Sequence, residues 1–151
     1  MRSLGEIERW MEDWSLAEAA TLGSAAPRQL LAAGEEVMEH WLTANGKEPT
    51  FDTKEGFRIL AMHRQAAQGD PSFNACRETC RELCYRFNLA ETELDPEGWR
   101  SNLSTMRRVA QHLLYFIAGK MQNAAIGEFC CSSRPVRSAD TAQLLEGEET
   151  K

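Results

Sequence analysis

The clearest sign of architecture lies in residues 96–126, which read PEGWRSNLSTMRRVAQHLLYFIAGKMQNAAI. Apolar side chains recur there at intervals of three and four residues, which is the period of one face of an α-helix. The stripe consists of Trp99, Leu103, Met106, Ala110, Leu113, Ile117, Met121 and Ala124. Asp95-Pro96 provides a helix start and Gly127 a helix stop. The spacing therefore predicts one long helix, about 45 Å in length at 1.5 Å per residue.

Shorter helices are predicted from the same period and from the glycine, proline and aspartate residues at their ends. Their ranges are 3–22, 24–44, 52–68 and 71–89. Gly69-Asp70-Pro71 is the strongest boundary, because glycine ends one helix, aspartate caps the next and proline fits its first turn. No stretch alternates with the period of a strand. The sequence predicts an all-α fold: a single four- to five-helix bundle over residues 1–127, with a long C-terminal helix.

Residues 128–151 have no sustained apolar period, and they are predicted to form a flexible acidic tail.

Charge is uneven along the chain. Residues 1–52 carry a net −6 and residues 138–151 a net −3, whereas residues 96–137 carry a net +4. With a total of −6, the chain repels polyanions, and it lacks a dense basic patch interleaved with aromatic residues. Nucleic acid is therefore not an expected partner.

The length of 151 residues suits one globular domain, and 42% apolar with 26% charged residues is an ordinary globular composition. No segment approaches the roughly twenty consecutive apolar residues that cross a bilayer. The first residues, MRSLGEIERWMEDW, lack the apolar core of a signal peptide. We therefore expect a soluble, cytoplasmic protein with no membrane partner.

Leu114 and Phe116, together with Val109, widen the apolar stripe of residues 96–126 beyond what one neighbouring helix covers. Two interpretations remain open. The helix is surrounded by the other helices of its own bundle, or this face is buried against a protein partner, for which a second copy of the chain is one candidate.

The polar side of residues 74–88, which read NACRETCRELCYRFN, is the second candidate contact surface. One interpretation is a solvated face with weak ion pairs between neighbouring turns. The other is recognition, because Arg77 and Arg81 lie one turn apart and can grip a carboxylate or phosphate, with Tyr85 as a further contact.

Two arginines of the preceding helix extend this hypothesis. Arg58 and Arg64 can join the recognition surface if the turn at residues 69–71 folds the two helices together.

Cys76, Cys80 and Cys84 project from almost one helical face, which they share with apolar side chains. Free cysteine commonly packs as a small buried residue, so these thiols are one predicted part of the core. The alternative is a soft-metal, iron–sulfur or redox site, although neither the zinc nor the ferredoxin spacing is present. Cys76 and Cys84 are about 12 Å apart along a helix axis, so one metal cannot take all three. A Cys76–Cys80 disulfide is awkward on a regular helix.

Cys130 and Cys131 are the other thiols, and they lie close to Arg134 and Arg137. Exposure and nearby positive charge favour thiolate, so we expect these two to react quickly. The three helical thiols are expected to react only after unfolding, because burial in apolar surroundings disfavours the thiolate.

No glycine-rich phosphate loop, Gly-x-Ser-x-Gly elbow or His-Glu-x-x-His motif occurs, so an enzyme is not the expected class. The preferred hypothesis is a small accessory or regulatory protein without a cofactor, which binds a partner protein through an exposed helical face. The predicted contact residues are Arg77, Arg81, Tyr85, Leu114 and Phe116. One alternative is a thiolate-based soft-metal, iron–sulfur or redox protein that uses Cys76, Cys80 and Cys84. A further alternative is an enzyme that uses His63 with neighbouring arginine and cysteine groups.

Overall fold

The computed structural model describes residues 1–124, which form six α-helices and one short 3-10 helix. The elements are α1 (Leu4–Asp13), α2 (Leu16–Leu22), α3 (Ala25–Ala44), α4 (Arg58–Ala67), the 3-10 helix (Pro71–Cys76), α5 (Arg77–Thr92) and α6 (Pro96–Ala124). No strand occurs within residues 1–124, so the all-α prediction is confirmed. The described residues do not include the predicted tail over 128–151, the predicted domain boundary at 127, or the thiols of Cys130 and Cys131.

Helix α6 occupies the centre of the fold and contacts α1, α2, α3 and α5. The predicted apolar stripe is buried along most of its length, with Trp99 partly covered and Ala124 exposed at its ends. The fully buried members are Leu103, Met106, Ala110, Leu113, Ile117 and Met121. The stripe is therefore core, as its helical period indicated.

The second apolar flank of α6 is covered as well, because helices pack against α6 from several sides. Leu114 has no exposed surface, and Phe116 lies partly buried, edge-on to Phe73 at 6.1 Å between ring centroids. This wide apolar face is therefore packed within the chain's own core. Leu114, which the sequence offered as a partner contact, is inaccessible to a partner in the folded chain.

The prediction of one continuous helix over residues 3–22 is wrong. Trp14 has extended backbone angles, and Ser15 caps a new helix by accepting a hydrogen bond from the Glu18 amide at 3.2 Å. A serine with glutamate three residues later is a strong helix start, and here it interrupts an apolar period that would otherwise continue.

The predicted start of a helix at residue 52 is also wrong, because α4 begins only at Arg58. Residues 54–57 form a tight turn in which Lys54 and Phe57 exchange two backbone hydrogen bonds of 3.0 Å. Its central residues, Glu55 and Gly56, have φ of +56° and +86°. Positive φ at both central positions is typical of a type I′ turn and incompatible with a helix.

The chain enters α5 through the 3-10 helix, which replaces the first turns of the helix predicted over 71–89. Asp70 caps it as expected, accepting from the Ser72 amide at 3.2 Å. The change of helix type makes Cys76 the N-cap residue of α5, whereas Cys80 and Cys84 lie within the regular α-helix.

Close packing of α3 against its neighbours depends on Gly34. A Cβ atom at this position would lie 2.6 Å from Leu83 Cδ2 on α5 and 3.2 Å from Ile59 Cδ1 on α4. Helices α3, α4 and α5 therefore pack closely at Gly34 because glycine has no side chain. None of the helices within residues 1–124 has the length and apolar content needed to cross a membrane.

Candidate functional site

A groove of about 410 Å³ lies along α4, between the turn at residues 54–57 and the start of α5. We refer to it as the basic groove. Its charged and polar lining consists of Lys54, Arg64, Arg77, Arg81, His63, Gln68 and Asn74. None of the described residues that line it is acidic. A concentration of basic side chains without counter-charges in the lining produces a local positive potential.

The positions of these side chains follow from the reversal of the chain between α4 and α5. Gly69 has φ of +76°, and Asp70 and Pro71 restart the chain in the opposite sense. The C-terminal end of α4, which carries Arg64, is thereby placed beside the first turns of α5, which carry Arg77 and Arg81. The turn that Gly69-Asp70-Pro71 predicted therefore brings Arg64 close to Arg77 and Arg81.

Three of the arginines that the sequence suggested for recognition line one groove, namely Arg64, Arg77 and Arg81. Arg58 does not join them, because its guanidinium donates to Glu39 Oε2 at 2.6 Å and to the Thr50 carbonyl at 2.8 Å. Tyr85 is 54% exposed, but it lies beyond the residues that line the groove.

Arg81 already binds a carboxylate of its own chain. Its Nη2 donates to both oxygens of Glu55 at 2.9 Å. This contact lowers the pKa of Glu55 and raises the pKa of Arg81, in each case chiefly through the hydrogen bond between them. Within residues 1–124, Arg64 and Arg77 form no ion pair.

A second depression, of about 480 Å³, continues the basic groove along α4 and shares Lys54, Arg64 and Gln68 with it. Its outer wall is the loop around Thr50, which is fixed to α4 by Gln65. The Gln65 side chain accepts from the Thr50 amide at 3.0 Å and donates to the Glu48 carbonyl at 2.8 Å. This second depression is also lined by Asp52, and its basic residues are only the two that it shares with the basic groove.

Beneath the basic groove, a histidine and a cysteine meet at one carbonyl group. His63 Nε2 donates to the Phe73 carbonyl at 2.8 Å, and the Cys76 thiol donates to the same oxygen at 3.4 Å. His63 lines the groove, and Cys76 is 1% exposed behind it.

The three helical thiols differ in their acidity. The hydrogen bond from the Cys80 thiol lowers the pKa of Cys76 to about 6, and His63 adds to this effect against the opposing effect of burial. The pKa of Cys80 is raised well above its usual value, because its proton is held by Cys76 and because it is buried. Burial and the nearby charge of Glu35 raise the pKa of Cys84 to about 12.

The pKa of His63 is shifted so as to favour its charged form, as the pKa of Cys76 is. Burial lowers the pKa of His63, but the hydrogen bonds to Cys76 and to the Phe73 carbonyl outweigh it, so the pKa is raised overall. All three thiols are buried, in agreement with the core interpretation, but that interpretation treated them as equivalent. Among residues 1–124 no group of three or more histidine, cysteine or acidic side chains is arranged to hold a metal ion.

Sequence reasoning did not bring Lys54 or Glu55 to the site. Lys54 and Glu55 reach the groove only through the tight turn at residues 54–57, for which Gly56 was the available signal. His63 entered only in the enzyme hypothesis, since its distance from Cys76 depends on the chain reversal at Gly69.

Comparisons of the chain with protein-family models, with curated proteins and with solved structures find no match. Function must therefore be inferred from the geometry and charge of the basic groove and of the groups beneath it.

Proposed function

We propose that this chain is a small accessory or regulatory protein that binds an acidic segment of a partner protein in the basic groove. One observation carries the proposal. In a chain with a net charge of −6, four basic side chains line a single groove, and among the described residues only Arg81 of these four forms an ion pair, with Glu55. Such a local reversal of charge attracts carboxylates and speeds their encounter with the site.

Carboxylates are favoured as the ligand because one of the lining arginines, Arg81, already binds one. The Glu55 carboxylate on Arg81 has the charge-assisted geometry that arginine offers to acidic side chains. Arg64 and Arg77 lie in the same groove, where two further carboxylates of a partner can bind. Because four basic side chains line the one groove, a segment with several carboxylates fits it better than a single carboxylate does.

A long polyanion such as nucleic acid fits the surface less well. Binding of nucleic acid depends on many phosphate contacts distributed over a broad basic surface. Here the chain carries a net −6, and the basic groove offers only four basic lining residues.

Glu55 competes with the partner for Arg81. Its φ of +56° places a non-glycine residue in the left-handed region, which is sterically unfavourable. A partner carboxylate that takes its place on Arg81 removes the need for the Glu55 contact. Glu55 therefore reduces the affinity for weak acidic ligands and selects for segments with several carboxylates.

The test is a calorimetric titration of the full chain with a glutamate-rich peptide. Arg64→Gln combined with Arg77→Gln should weaken binding about a hundredfold, since a hydrogen bond to a charged group contributes roughly 1.5–3 kcal/mol. Binding to the wild type should also weaken as salt is raised.

Glu55→Asn should tighten binding of the same peptide, because asparagine tolerates positive φ and leaves Arg81 free.

Arg28→Gln is the matched control, because Arg28 is exposed on α3 and lines neither depression. Equal binding by the double variant and the control would remove the groove from the interface. A second copy of the chain is the other source of an acidic segment. Concentration-dependent dimerisation of the chain alone, lost in the double variant, would replace the proposed partner by a second copy.

We further propose that the protein works in the cytoplasm, without a cofactor. A reducing compartment is compatible with the free thiols of Cys76, Cys80 and Cys84. Recognition of an acidic segment uses only side chains of the groove, so the proposed role requires no bound group.

A further inference from the structure

We propose that residues 138–151 bind in the basic groove of their own molecule, and that an acidic segment of a partner has to displace them. The choice of this occupant rests on the proposed function, because the same basic side chains recognise its carboxylates. Three features carry the inference. They are the unpaired charges of the basic groove, the sequence of residues 138–151, and the position at which the described part of α6 ends.

The basic groove has more positive charge than the described part of the chain neutralises. Lys54, Arg64 and Arg77 line it and form no ion pair within residues 1–124. Glu55, on Arg81, is the one acidic residue of this range that pairs with a basic residue of the lining. Three basic side chains of the groove are therefore available to carboxylates from outside residues 1–124.

Residues 138–151, which read SADTAQLLEGEETK, contain such carboxylates. Glu146, Glu148 and Glu149 place three of them within four residues, and the segment carries a net −3. Three closely spaced carboxylates match the three available basic side chains in number and are opposite to them in charge. Arg137 lies nine residues before Glu146, so its positive charge does not need to enter the groove.

The chain leaves the described part of α6 near one end of the basic groove. Lys120, about one turn before the end of this part, donates to Ser72 Oγ at 2.6 Å and pairs with Asp70 Oδ2 at 3.7 Å. Asp70 and Ser72 belong to the chain reversal between α4 and α5. Gln68 and Asn74, on either side of this reversal, line the groove.

The connection is long enough to reach every part of the groove. Glu146 follows Ala124 by 22 residues. These span about 33 Å if they are helical, and at most about 75 Å if they are fully extended. Helix α4, along which the groove lies, has 10 residues and is therefore about 15 Å long. Glu146 can thus reach both ends of α4 from Ala124.

Binding within one molecule makes even a weak contact effective. A ligand and a site that belong to one chain meet at an effective concentration on the order of 1 mM. A segment that binds with a Kd of about 0.1 mM as a free peptide then fills about nine-tenths of the grooves. A partner segment must bind more strongly than residues 138–151 do. Ligands with few carboxylates are thereby excluded.

Chemical cross-linking of the full chain tests the contact directly. A carbodiimide joins a lysine amine to a carboxylate that lies in contact with it. Trypsin cuts after Arg137, so residues 138–151 are released as one peptide. Mass spectrometry should find this peptide joined to the one that contains Lys54. Lys47 is the matched control, because it is more exposed than Lys54 and lines neither depression.

Isotope labelling distinguishes a contact within one molecule from a contact between two. An equal mixture of unlabelled and 15N-labelled chain is cross-linked and digested. We expect each joined pair of peptides to be wholly unlabelled or wholly labelled. Pairs that combine a labelled with an unlabelled peptide would mean that a second copy provides the segment, and the inference would then be wrong.

A variant of the full chain measures the effect on the partner site. Its substitutions replace three clustered carboxylates by amides: Glu146→Gln, Glu148→Gln and Glu149→Gln. Calorimetric titration should show that this variant binds the glutamate-rich peptide about tenfold more tightly than the wild type does, because the competing segment is lost.

The control variant removes the same number of negative charges at exposed positions outside both depressions. Its substitutions are Glu12→Gln, Asp13→Asn and Glu91→Gln. It should bind the peptide with nearly the affinity of the wild type, because the change in net charge is not what relieves the competition. Equal affinities of the two triple variants would contradict the inference, as would cross-links that form at Lys47 as often as at Lys54.

The two proposals can fail separately. If the wild type binds the glutamate-rich peptide and the variant of residues 146–149 binds it no better, the groove takes acidic ligands but not residues 138–151. If that variant does not bind the peptide at all, the proposed recognition of a partner is wrong, and the isotope-resolved cross-link to Lys54 still decides whether residues 138–151 occupy the groove.

Discussion

The Leu114→Glu variant should be largely unfolded. Leu114 lies on the central helix with no exposed surface, so a glutamate there is a carboxylate buried among apolar side chains. The loss of leucine burial, at roughly 1.5–3 kcal/mol, adds to the cost of desolvating the new polar group. Their sum is comparable to the roughly 5–15 kcal/mol by which domains are stable. Circular dichroism and urea denaturation measure the effect.

Ser101→Glu on the same helix is the control, since Ser101 is exposed and lies in the N-terminal part of α6, where a negative charge is tolerated. Its unfolding midpoint should stay close to that of the wild type. A Leu114→Glu variant that kept wild-type stability and lost only partner binding would return Leu114 to an interface. The central position of α6 would then be incorrect.

Phe73→Ala should lower the free energy of unfolding by about 3–5 kcal/mol. Phe73 is fully buried, and its ring centroid lies 5.1 Å from that of Trp41, 5.9 Å from that of His63 and 6.1 Å from that of Phe116. Removal of the ring leaves a cavity at the junction of α3, α4 and α6, which the rigid helices cannot fill.

Phe51→Ala provides the matched comparison, because Phe51 is 82% exposed and its ring lies 4.5 Å from the Arg58 guanidinium. Exposed substitutions of this kind usually change stability by no more than about 0.5 kcal/mol. Urea denaturation of both variants tests the difference. Similar losses for the two phenylalanines would mean that Phe73 is not a central core residue.

The sequence was most informative where structure depends on local repetition. The stripe from Leu103 to Met121 recurs with the helical period over many turns, and such a long signal predicts both helix and core. Single capping residues can override a shorter signal. The apolar period of residues 3–22 continues through Trp14, yet Ser15 begins a new helix there.

The candidate site was predictable only in part, for a related reason. Arg64, Arg77 and Arg81 could be grouped because the turn at Gly69 is marked in the sequence. Glu55 could not be assigned to Arg81, since that contact joins residues 26 positions apart through an irregular loop.

The thiols illustrate a further limit of periodicity. A repeat of four residues placed Cys76 and Cys80 on one face, and both are indeed buried. The repeat gave no means of predicting that the chain is a 3-10 helix up to Cys76, or that His63 and Cys76 both contact the Phe73 carbonyl. Acidity depends on these neighbours, so the sequence treated as equivalent two thiols whose pKa values are displaced in opposite directions.

The central claim is that the basic groove recognises carboxylates, and an exchange of charge between protein and ligand tests it most directly. The measurement compares the affinities of a glutamate-rich peptide and a lysine-rich peptide for the wild type and for Arg64→Glu combined with Arg77→Glu. We expect the wild type to bind only the acidic peptide. The reversed groove should lose that binding and acquire affinity for the basic peptide, because both peptides meet the same two positions with opposite charges. Undiminished binding of the acidic peptide by the reversed variant, with its helical spectrum intact, would contradict the account.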